Sequence, residues 1–351
     1  MSKITKIIGG GIVGAILIIG GYYGVNINNN NTAIKVGIIT DLSGPAAYWG
    51  ESTKVGVEMA KQELESEGYI VDIVYEDYQL DAVKAVSAAQ KLVTIDDVDA
   101  IYAEFNPAAI AVNSFVKDKN LLFMYDAAVT SPLKDNANAY KTYLDYQNGC
   151  KAIAQGFKDS GVEKIGMLKI KLEAGELCFT GVKEVYGDSV ISEEYNLGDT
   201  DLKTQIVKLK ANNIGAIINV GFEGDTMNTL KGIRELGVKA LYGTVDDTIT
   251  DNVKEIYAKE LIGARAFGFK DVENTFANKL IAFNGNKKVA SEYAAGLSYT
   301  HVKQIVRAVA KCEGDVTCVN GEMSESTADS TVGFKAFENR IADLEVNVKE
   351  Y

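Results

Sequence analysis

Acidic side chains follow four of the predicted strands, in segments that contain no lysine or arginine. Glu104 and Asp126 come at the ends of two strands, Glu223 follows a third, and Asp246 with Asp247 follows a fourth. The carboxyl ends of parallel strands meet at one edge of a sheet, so these carboxylates are predicted to face a common cleft. Such a cleft favours a ligand with a cationic or hydrogen-bond-donating group, and it repels dicarboxylates and phosphates. The alternative for Glu104 and Asp126 is helix capping at the positive end of a helix dipole.

Two adjacent aromatic residues, Tyr48 and Trp49, lie in the first predicted strand, loop and helix. The apolar run 34–39 is typical of a buried strand, a turn cluster at 41–45 ends it, and a helical apolar spacing continues to Gly68. Open α/β sheets bind ligands in loops of this kind. Trp49, the only tryptophan, is therefore interpreted as a wall of a ligand site, and a buried hydrophobic plug is the alternative.

A single histidine, His301, limits the catalytic chemistry that this chain can support. That count excludes a metal site built from several histidines, and neither a G-x-S-x-G segment nor a P-loop occurs. We therefore expect no enzymatic activity, no cofactor and no metal. A mechanism that uses only the carboxylates of Glu104 and Asp126 is the enzymatic alternative.

Composition places the chain among globular proteins with an acidic surface. Of its 351 residues, 47% are hydrophobic and 24% are charged, and the formal net charge is −12. This length is sufficient for two packed lobes. The negative charge disfavours nucleic acid as a partner, because phosphates require a basic surface.

The N-terminal segment combines a positive flank with a long uncharged run. Lys3 and Lys6 precede residues 7–25, which carry no charge, and a polar run follows as far as residue 32. About 20 apolar residues cross a bilayer, whereas the apolar part of a signal peptide is shorter. We predict a transmembrane helix at 7–25 with a short flexible tether at 28–32, and a cleaved signal peptide is the alternative. In both cases the globular part is expected outside the cell membrane.

Four cysteines are consistent with an oxidising compartment. Cys312 and Cys318 enclose a short polar segment and are predicted to form a disulfide. Cys150 and Cys178 each lie near the start of a predicted helix. They either pair with each other or remain two buried thiols.

Strand-like and helix-like segments alternate along residues 34–269. Strands are predicted at 34–39, 71–75, 100–103, 121–125, 165–170, 190–195, 216–220, 240–243 and 263–267. Short loops between alternating strands and helices favour an α/β class with parallel sheets flanked by helices on both faces. The number of strands is too large for one comfortable sheet, so two lobes are expected.

The segment Leu42 to Gly50 reads L-S-G-P-A-A-Y-W-G between a predicted strand and a predicted helix. It resembles the start of mature type I periplasmic solute-binding proteins, the Leu/Ile/Val-binding and amide-binding relatives that serve ABC transporters. The order of elements is similar to that family along most of the chain. The resemblance implies a two-lobe fold, with residues 33–144 and 270–338 in lobe 1 and residues 145–269 and 339–351 in lobe 2.

In the resembled family the ligand lies between the lobes, at the carboxyl ends of strands from both. The resemblance implies that Tyr48 and Trp49 supply an aromatic wall, Ala128 a carbonyl for a ligand amine, and Thr130 a hydroxyl. Where the family has a hydroxyl pair that holds a ligand carboxylate, this chain has Asn106 followed by proline and alanine, which offer no hydroxyl.

Lobe 2 contributes the remaining predicted contacts. Phe222 stands at the position of the family's ligand tyrosine, and Asp246 falls near its acidic amine-binding residue. The complete set of predicted ligand-binding residues is Tyr48, Trp49, Glu104, Asn106, Asp126, Ala128, Thr130, Phe222, Glu223 and Asp246.

The resemblance implies a non-enzymatic protein that captures a small polar solute, an amino acid or an amide-like or amine-like compound. It would deliver this solute to the permease subunits of an ABC transporter, held to the membrane by its N-terminal helix with the globular part outside. The alternatives are a ligand-sensing subunit of a membrane receptor assembly and an exported hydrolase.

Overall fold

A computed structural model describes residues 33–196, 198–329 and 331–351 of the chain. Residues 33–351 form one compact unit. The predicted membrane helix at 7–25 and the predicted tether at 28–32 lie outside the described residues. Among the helices that are described, none is both long enough and apolar enough to span a bilayer.

Strands and helices alternate along most of the described chain. The strands are β1 (Ile34–Thr40), β2 (Val71–Asp77), β3 (Ala100–Glu104), β4 (Leu122–Asp126), β5 (Ala139–Lys141), β6 (Ile165–Ile170), β7 (Val190–Tyr195), β8 (Ala216–Asn219), β9 (Leu241–Val245), β10 (Arg265–Phe269), β11 (Phe334–Glu338), β12 (Ile341–Leu344) and β13 (Val346–Glu350). The helices are α1 (Ala47–Ser66), α2 (Ala82–Lys91), α3 (Phe105–Val116), α4 (Pro132–Asp135), α5 (Tyr146–Asp159), α6 (Glu173–Tyr186), α7 (Lys203–Ala211), α8 (Glu223–Glu235), α9 (Asp251–Tyr257), α10 (Asn274–Phe283), α11 (Glu292–Cys312) and α12 (Val316–Ser324).

The strands form two sheets, which define two lobes. The first sheet has the order β11-β12-β5-β4-β3-β1-β2, and the second has the order β13-β10-β9-β8-β6-β7. Pairing is parallel except between β11 and β12 and between β10 and β13. Every residue of β3 and β4 is buried, as expected for parallel strands that are covered by helices on both faces. The predicted α/β fold with two parallel-dominated lobes is therefore confirmed.

One predicted boundary is wrong at the end of the chain. Residues 339–351 were expected in lobe 2, but β12 pairs with β11 and β5 in the first sheet. Only β13 reaches the second sheet, where it lies antiparallel to β10. The hairpin of β11 and β12 keeps the chain in the first lobe until Glu345, the single residue between β12 and β13.

The chain passes between the two sheets at three places within residues 33–351. These are the segment between β5 and α5, the segment between β10 and α10, and Glu345 between β12 and β13. The last two are joined by a hydrogen bond from the Lys270 amide to the Glu345 carbonyl, at 3.1 Å. Buried Lys141 donates to the carbonyls of Tyr143 and Leu144 in the first segment, at 2.5 and 2.9 Å.

Each lobe contains a closely packed helix pair. In the first lobe α1 packs on α11, and in the second lobe α5 packs on α6. Disulfides join Cys150 to Cys178, between α5 and α6, and Cys312 to Cys318, between α11 and α12. The predicted disulfide between Cys312 and Cys318 is confirmed. Of the two alternatives for Cys150 and Cys178, the structure shows the disulfide rather than two buried thiols.

Candidate functional site

A cleft lies where the carboxyl ends of strands from both sheets meet. It contains about 680 Å³ of empty space, which includes space open to solvent. The lining residues from the first lobe and the first crossing are Tyr48, Trp49, Phe105, Asn106, Asp126, Ala127, Ala128 and Tyr143. Those from the second lobe are Tyr146, Ile170, Leu172, Ala174, Gly221, Phe222, Glu223, Asp247 and Thr248.

Aromatic rings form one continuous wall of this cleft. Phe105 lies between Phe222 and Trp49, with ring centroids 6.4 and 5.9 Å away. Trp49 in turn is 6.2 Å from Tyr143, whose ring is 6.1 Å from that of Tyr146. We define these five residues as the aromatic wall. The contact between Phe105 and Phe222 bridges the lobes.

Trp49 combines the two interpretations that its sequence position allowed. Its side chain lines the cleft, but only 2% of its surface is exposed, so it also acts as a plug. Its indole N–H donates to the Glu104 carboxylate at 3.2 Å. Tyr48 also lines the cleft and is 41% exposed at its rim.

Glu104 does not line the cleft, contrary to prediction. It is fully buried beneath Trp49, and its carboxylate accepts hydrogen bonds from the hydroxyls of Thr40 and Thr53 as well as from the indole. Burial raises the pKa of Glu104 to about 7, and the two hydroxyls and the indole oppose this rise. The side chain points from β3 toward α1, so it supports Trp49 and has no access to a ligand.

Asp126 reaches the cleft as predicted, at the end of β4. It is 3% exposed, and neither carboxylate oxygen accepts a hydrogen bond from the described residues. Burial raises its pKa well above the ordinary value, and the neighbouring charge of Glu104 adds to this rise. The positive charge of Lys141, which lies nearby, opposes this rise in the pKa of Asp126.

Of the two adjacent aspartates after β9, Asp247 lines the cleft and Asp246 does not. Asp246 instead forms an ion pair with Lys349 at 2.8 Å and accepts from the hydroxyl of Tyr351. Asp247 accepts from the hydroxyl of Tyr143 at 2.9 Å, and its other oxygen has no partner. Burial raises the pKa of Asp247 to about 6, against the effect of that hydroxyl. Asp246, which was predicted as a ligand contact, therefore does not line the cleft, and it secures the last strand instead.

Two predicted contacts after β3 and β4 are engaged within the protein. Asn106 lies in the first turn of α3, and its amide oxygen accepts from the Ala128 N–H at 3.0 Å. Thr130 does not line the cleft. Its N–H and hydroxyl both donate to Glu173 of the second lobe, at 2.8 and 3.1 Å.

Two predicted residues of the second lobe lie at the cleft. Phe222 belongs to the aromatic wall, and Glu223 begins α8 with its carboxylate accepting from Thr250 at 2.7 Å. Ala128 also lines the cleft.

Several residues that shape the cleft were not predicted. Tyr143 and Tyr146 follow the three-residue strand β5, and no strand was predicted at that position. Phe105 adopts φ = 67°, an uncommon backbone conformation for an aromatic residue, and this turns its ring into the cleft between Trp49 and Phe222. The sequence feature that could have indicated a role for Phe105 in the cleft is an aromatic residue directly after a predicted strand.

The sole histidine lies away from the cleft. His301 is buried in α11, its ring is 5.7 Å from that of Phe334, and burial lowers its pKa to about 4. Within the described residues, no group of three or more potential metal ligands is assembled. The chemistry offered by the cleft is therefore aromatic stacking and carboxylate hydrogen bonding.

Comparisons with known proteins agree with this architecture. The sequence profile of the family described as "Periplasmic binding protein" matches residues 33–340. The chain is 24% identical over 332 residues to the Leu/Ile/Val-binding protein homolog 2 of Brucella abortus, which covers 90% of this chain and 86% of that protein. It is 23% identical over 261 residues to the Leu/Ile/Val-binding protein of Escherichia coli, covering 71% of each.

Solved structures show the same fold. A solute-binding protein of an ABC transporter from R. palustris, in complex with 4-hydroxybenzoate, has a TM-score of 0.80 at 19% identity, covering 91% of this chain and 93% of that one. The substrate-binding protein LivJ of Streptococcus pneumoniae, in complex with isoleucine, has a TM-score of 0.77 at 16% identity, covering 91% and 96%. The chain belongs to the periplasmic binding protein family and has the two-lobe type I fold of the Leu/Ile/Val-binding proteins.

Proposed function

We propose that this protein captures a small polar solute, an amino acid or an amide-like or amine-like compound, in the cleft between its lobes and delivers it to an ABC permease. The observation that carries the proposal is the convergence of strand ends from both sheets on one cleft lined by aromatic rings and carboxylates. Relatives named for Leu/Ile/Val binding support an amino acid as the first class to test.

Hinge closure is the proposed mode of capture. The chain passes between the lobes at three short segments, an arrangement that lets the two sheets rotate about the segments while each sheet stays intact. Contacts across the cleft, from Thr130 to Glu173 and from Phe105 to Phe222, belong to the closed arrangement. A solute that touches both lobes favours this arrangement over an open one.

The proposed location is the outer face of the cell membrane. Periplasmic binding proteins act outside the cytoplasm, and the two disulfides are consistent with an oxidising compartment. Residues 7–25 are proposed to hold the protein to the membrane and to keep it near its permease, with a cleaved signal peptide as the alternative.

The first test is thermal unfolding of the full chain in detergent with separate amino acids, amides and amines. A stabilising solute that is recovered chemically unchanged after long incubation is the expected result, because a binding protein does not turn its ligand over. Recovery of a product would favour the hydrolase alternative instead.

A matched pair of variants locates the binding site. Phe222→Ala removes a ring from the aromatic wall and is expected to abolish the ligand-dependent shift of the unfolding temperature. Phe283→Ala removes a ring that is 39% exposed and does not line the cleft, so the shift should remain. Equal shifts in both variants would contradict binding in this cleft.

A further inference from the structure

The hydrogen-bond donors that follow β4 beside this cleft are already engaged within the protein. The N–H of Ala128 donates to Asn106, and the N–H and hydroxyl of Thr130 donate to Glu173. Pro107, in the first turn of α3, has no N–H to donate. The carboxylate of Glu173 thus accepts the hydrogen bonds that Thr130 could otherwise donate to a ligand carboxylate.

Carboxylate oxygens in the same cleft remain without partners. Both oxygens of Asp126 and one oxygen of Asp247 accept no hydrogen bond from the described residues. The hydroxyl of Tyr102 lies close enough to lower the pKa of Asp126, but it makes no hydrogen bond of normal geometry to that carboxylate. Because a buried polar group without a hydrogen bond is costly, a ligand that donates to these oxygens gains the interaction that the protein leaves unmade.

The nearest basic side chain does not neutralise these acids by contact. Lys141 is buried and directs its ammonium group to the carbonyls of Tyr143 and Leu144, and it forms no ion pair within 4.0 Å with a described carboxylate. No lysine or arginine is among the residues that line the cleft. A cationic ligand would therefore supply a positive charge that no lining side chain supplies, and it would favour the ionised forms of Asp126 and Asp247.

The aromatic wall adds to the preference for a cation. Aromatic faces attract an ammonium group through the negative charge of the π system, and the attraction strengthens when water is excluded. The wall contains five rings, of which three come from the first lobe and the first crossing and two, those of Tyr146 and Phe222, from the second lobe. An apolar ligand body has these rings to pack against, while its charged end meets the carboxylates.

We propose that the solute of this protein is an organic cation without a carboxylate group, a primary alkylamine or arylalkylamine. Its ammonium group donates to Asp126 and Asp247, and its apolar part packs on the aromatic wall. This inference rests on the proposed function and narrows it, because an amino acid would bring a carboxylate into a cleft lined by Asp126 and Asp247, while the donors of Ala128 and Thr130 are already engaged within the protein.

Calorimetry on the full chain in detergent with three matched compounds tests the inference. Isopentylamine, L-leucine and 4-methylpentanoate share one branched chain and differ only in carrying a cation, both charges or an anion. A second trio consists of phenethylamine, L-phenylalanine and 3-phenylpropanoate. We expect the amine of at least one trio to bind on the order of tenfold or more tighter than its amino acid, and neither carboxylate to bind.

Three variants assign the effect to individual residues. Asp126→Asn and Asp247→Asn should each weaken amine binding by about tenfold or more, because each removes a charge-assisted hydrogen bond. Asp246→Asn is the matched control, since Asp246 pairs with Lys349 outside the cleft, and it should leave the affinity unchanged. Glu173→Ala releases the donors of Thr130 and should narrow the preference for the amine over the amino acid.

The outcomes separate this inference from the proposed function. Binding of L-leucine or L-phenylalanine as tightly as the matching amine would overturn the inference and leave the proposed function intact. Failure of both amines to bind, or full affinity in Asp126→Asn and Asp247→Asn, would also overturn it. The proposed function fails separately if no compound of the wider panel stabilises the protein.

Discussion

At the residue scale, the two buried carboxylates at the ends of β3 and β4 have opposite environments. Glu104 accepts three hydrogen bonds, from Thr40, Thr53 and Trp49, whereas the oxygens of Asp126 accept none from the described residues. A satisfied carboxylate beneath the aromatic wall has a structural function, and an unsatisfied one in the cleft is available to a ligand.

The pH dependence of stability is expected to report on Glu104. Its pKa is about 7 in the folded protein and 4.5 in a model peptide, so between these values the folded state binds more protons than the unfolded state. Stability therefore falls as the pH rises from 4.5 through 7, by about 3 kcal/mol from this group alone. Glu104→Gln should remove that part of the slope in urea denaturation series at pH 4.5 to 8.

Two comparisons make this prediction decisive. Asp126 and Asp247 also have raised pKa values, so Glu104→Gln should retain a weaker slope of the same sign. Glu163→Gln, at an exposed glutamate, serves as the control and should follow the parent protein. A slope that is identical in Glu104→Gln and the parent protein would show that Glu104 is ionised in both states across this range.

The sequence located the acids at the strand ends but not the direction of each side chain. Asp246 and Asp247 follow β9 in a short helical turn, and Phe105 begins α3 directly after Glu104. Neighbouring residues in such turns project in different directions, so only one residue of each pair faces the cleft. Which residue of each pair faces the cleft depends on packing that involves distant elements, such as α1 above Glu104 and β13 beside Asp246.

At the element scale, each lobe depends on one close approach of helices at a glycine. A Cβ atom on Gly56 of α1 would lie 2.1 Å from the carbonyl oxygen of Ala295 in α11, and one on Gly181 of α6 would lie 2.0 Å from that of Gln147 in α5. These distances are far below van der Waals contact with backbone, which cannot move aside cheaply. The disulfide between Cys150 and Cys178 reinforces the second of these pairs.

Substitution of Gly56 by alanine tests this packing. Gly56→Ala should lower the free energy of unfolding by about 1–3 kcal/mol or more, because α1 and α11 must separate. Gly321→Ala is the matched control, since no heavy atom lies within 4 Å of the added Cβ, and it should be neutral or stabilise α12 by about 0.5–1 kcal/mol. Equal effects of the two substitutions in urea denaturation would contradict the close approach.

Long periodic elements were predictable, and short ones were not. The predicted strands at 165–170 and 190–195 match β6 and β7 residue for residue. By contrast, β5 has three residues and ends in Lys141, so neither length nor apolar composition marks it as a strand. The separation of β12 from β13 at Glu345 was missed for a similar reason, because the polar residue joins two short strands of different sheets.

At the scale of the whole molecule, two sheets of similar construction meet at one cleft, lined by residues of both lobes. The alternation of strands and helices predicted the class, and the number of strands predicted two lobes. The return of α10 and α11 to the first lobe was expected only from the resemblance, because periodicity carries no information about which sheet a helix covers. The aromatic wall needs both lobes and the first crossing to be assembled.

The most direct test of the account is the distance between the lobes with and without a bound solute. Spin labels at Glu51→Cys in the first lobe and Asp251→Cys in the second would lie at exposed positions near the cleft, and Glu51→Cys with Lys134→Cys gives a control pair within the first lobe. Pulsed electron paramagnetic resonance should show the first distance becoming shorter and its distribution narrower when a stabilising solute is added, while the control distance stays constant. A bound solute that leaves the distance between the lobes unchanged would contradict capture by closure of the cleft.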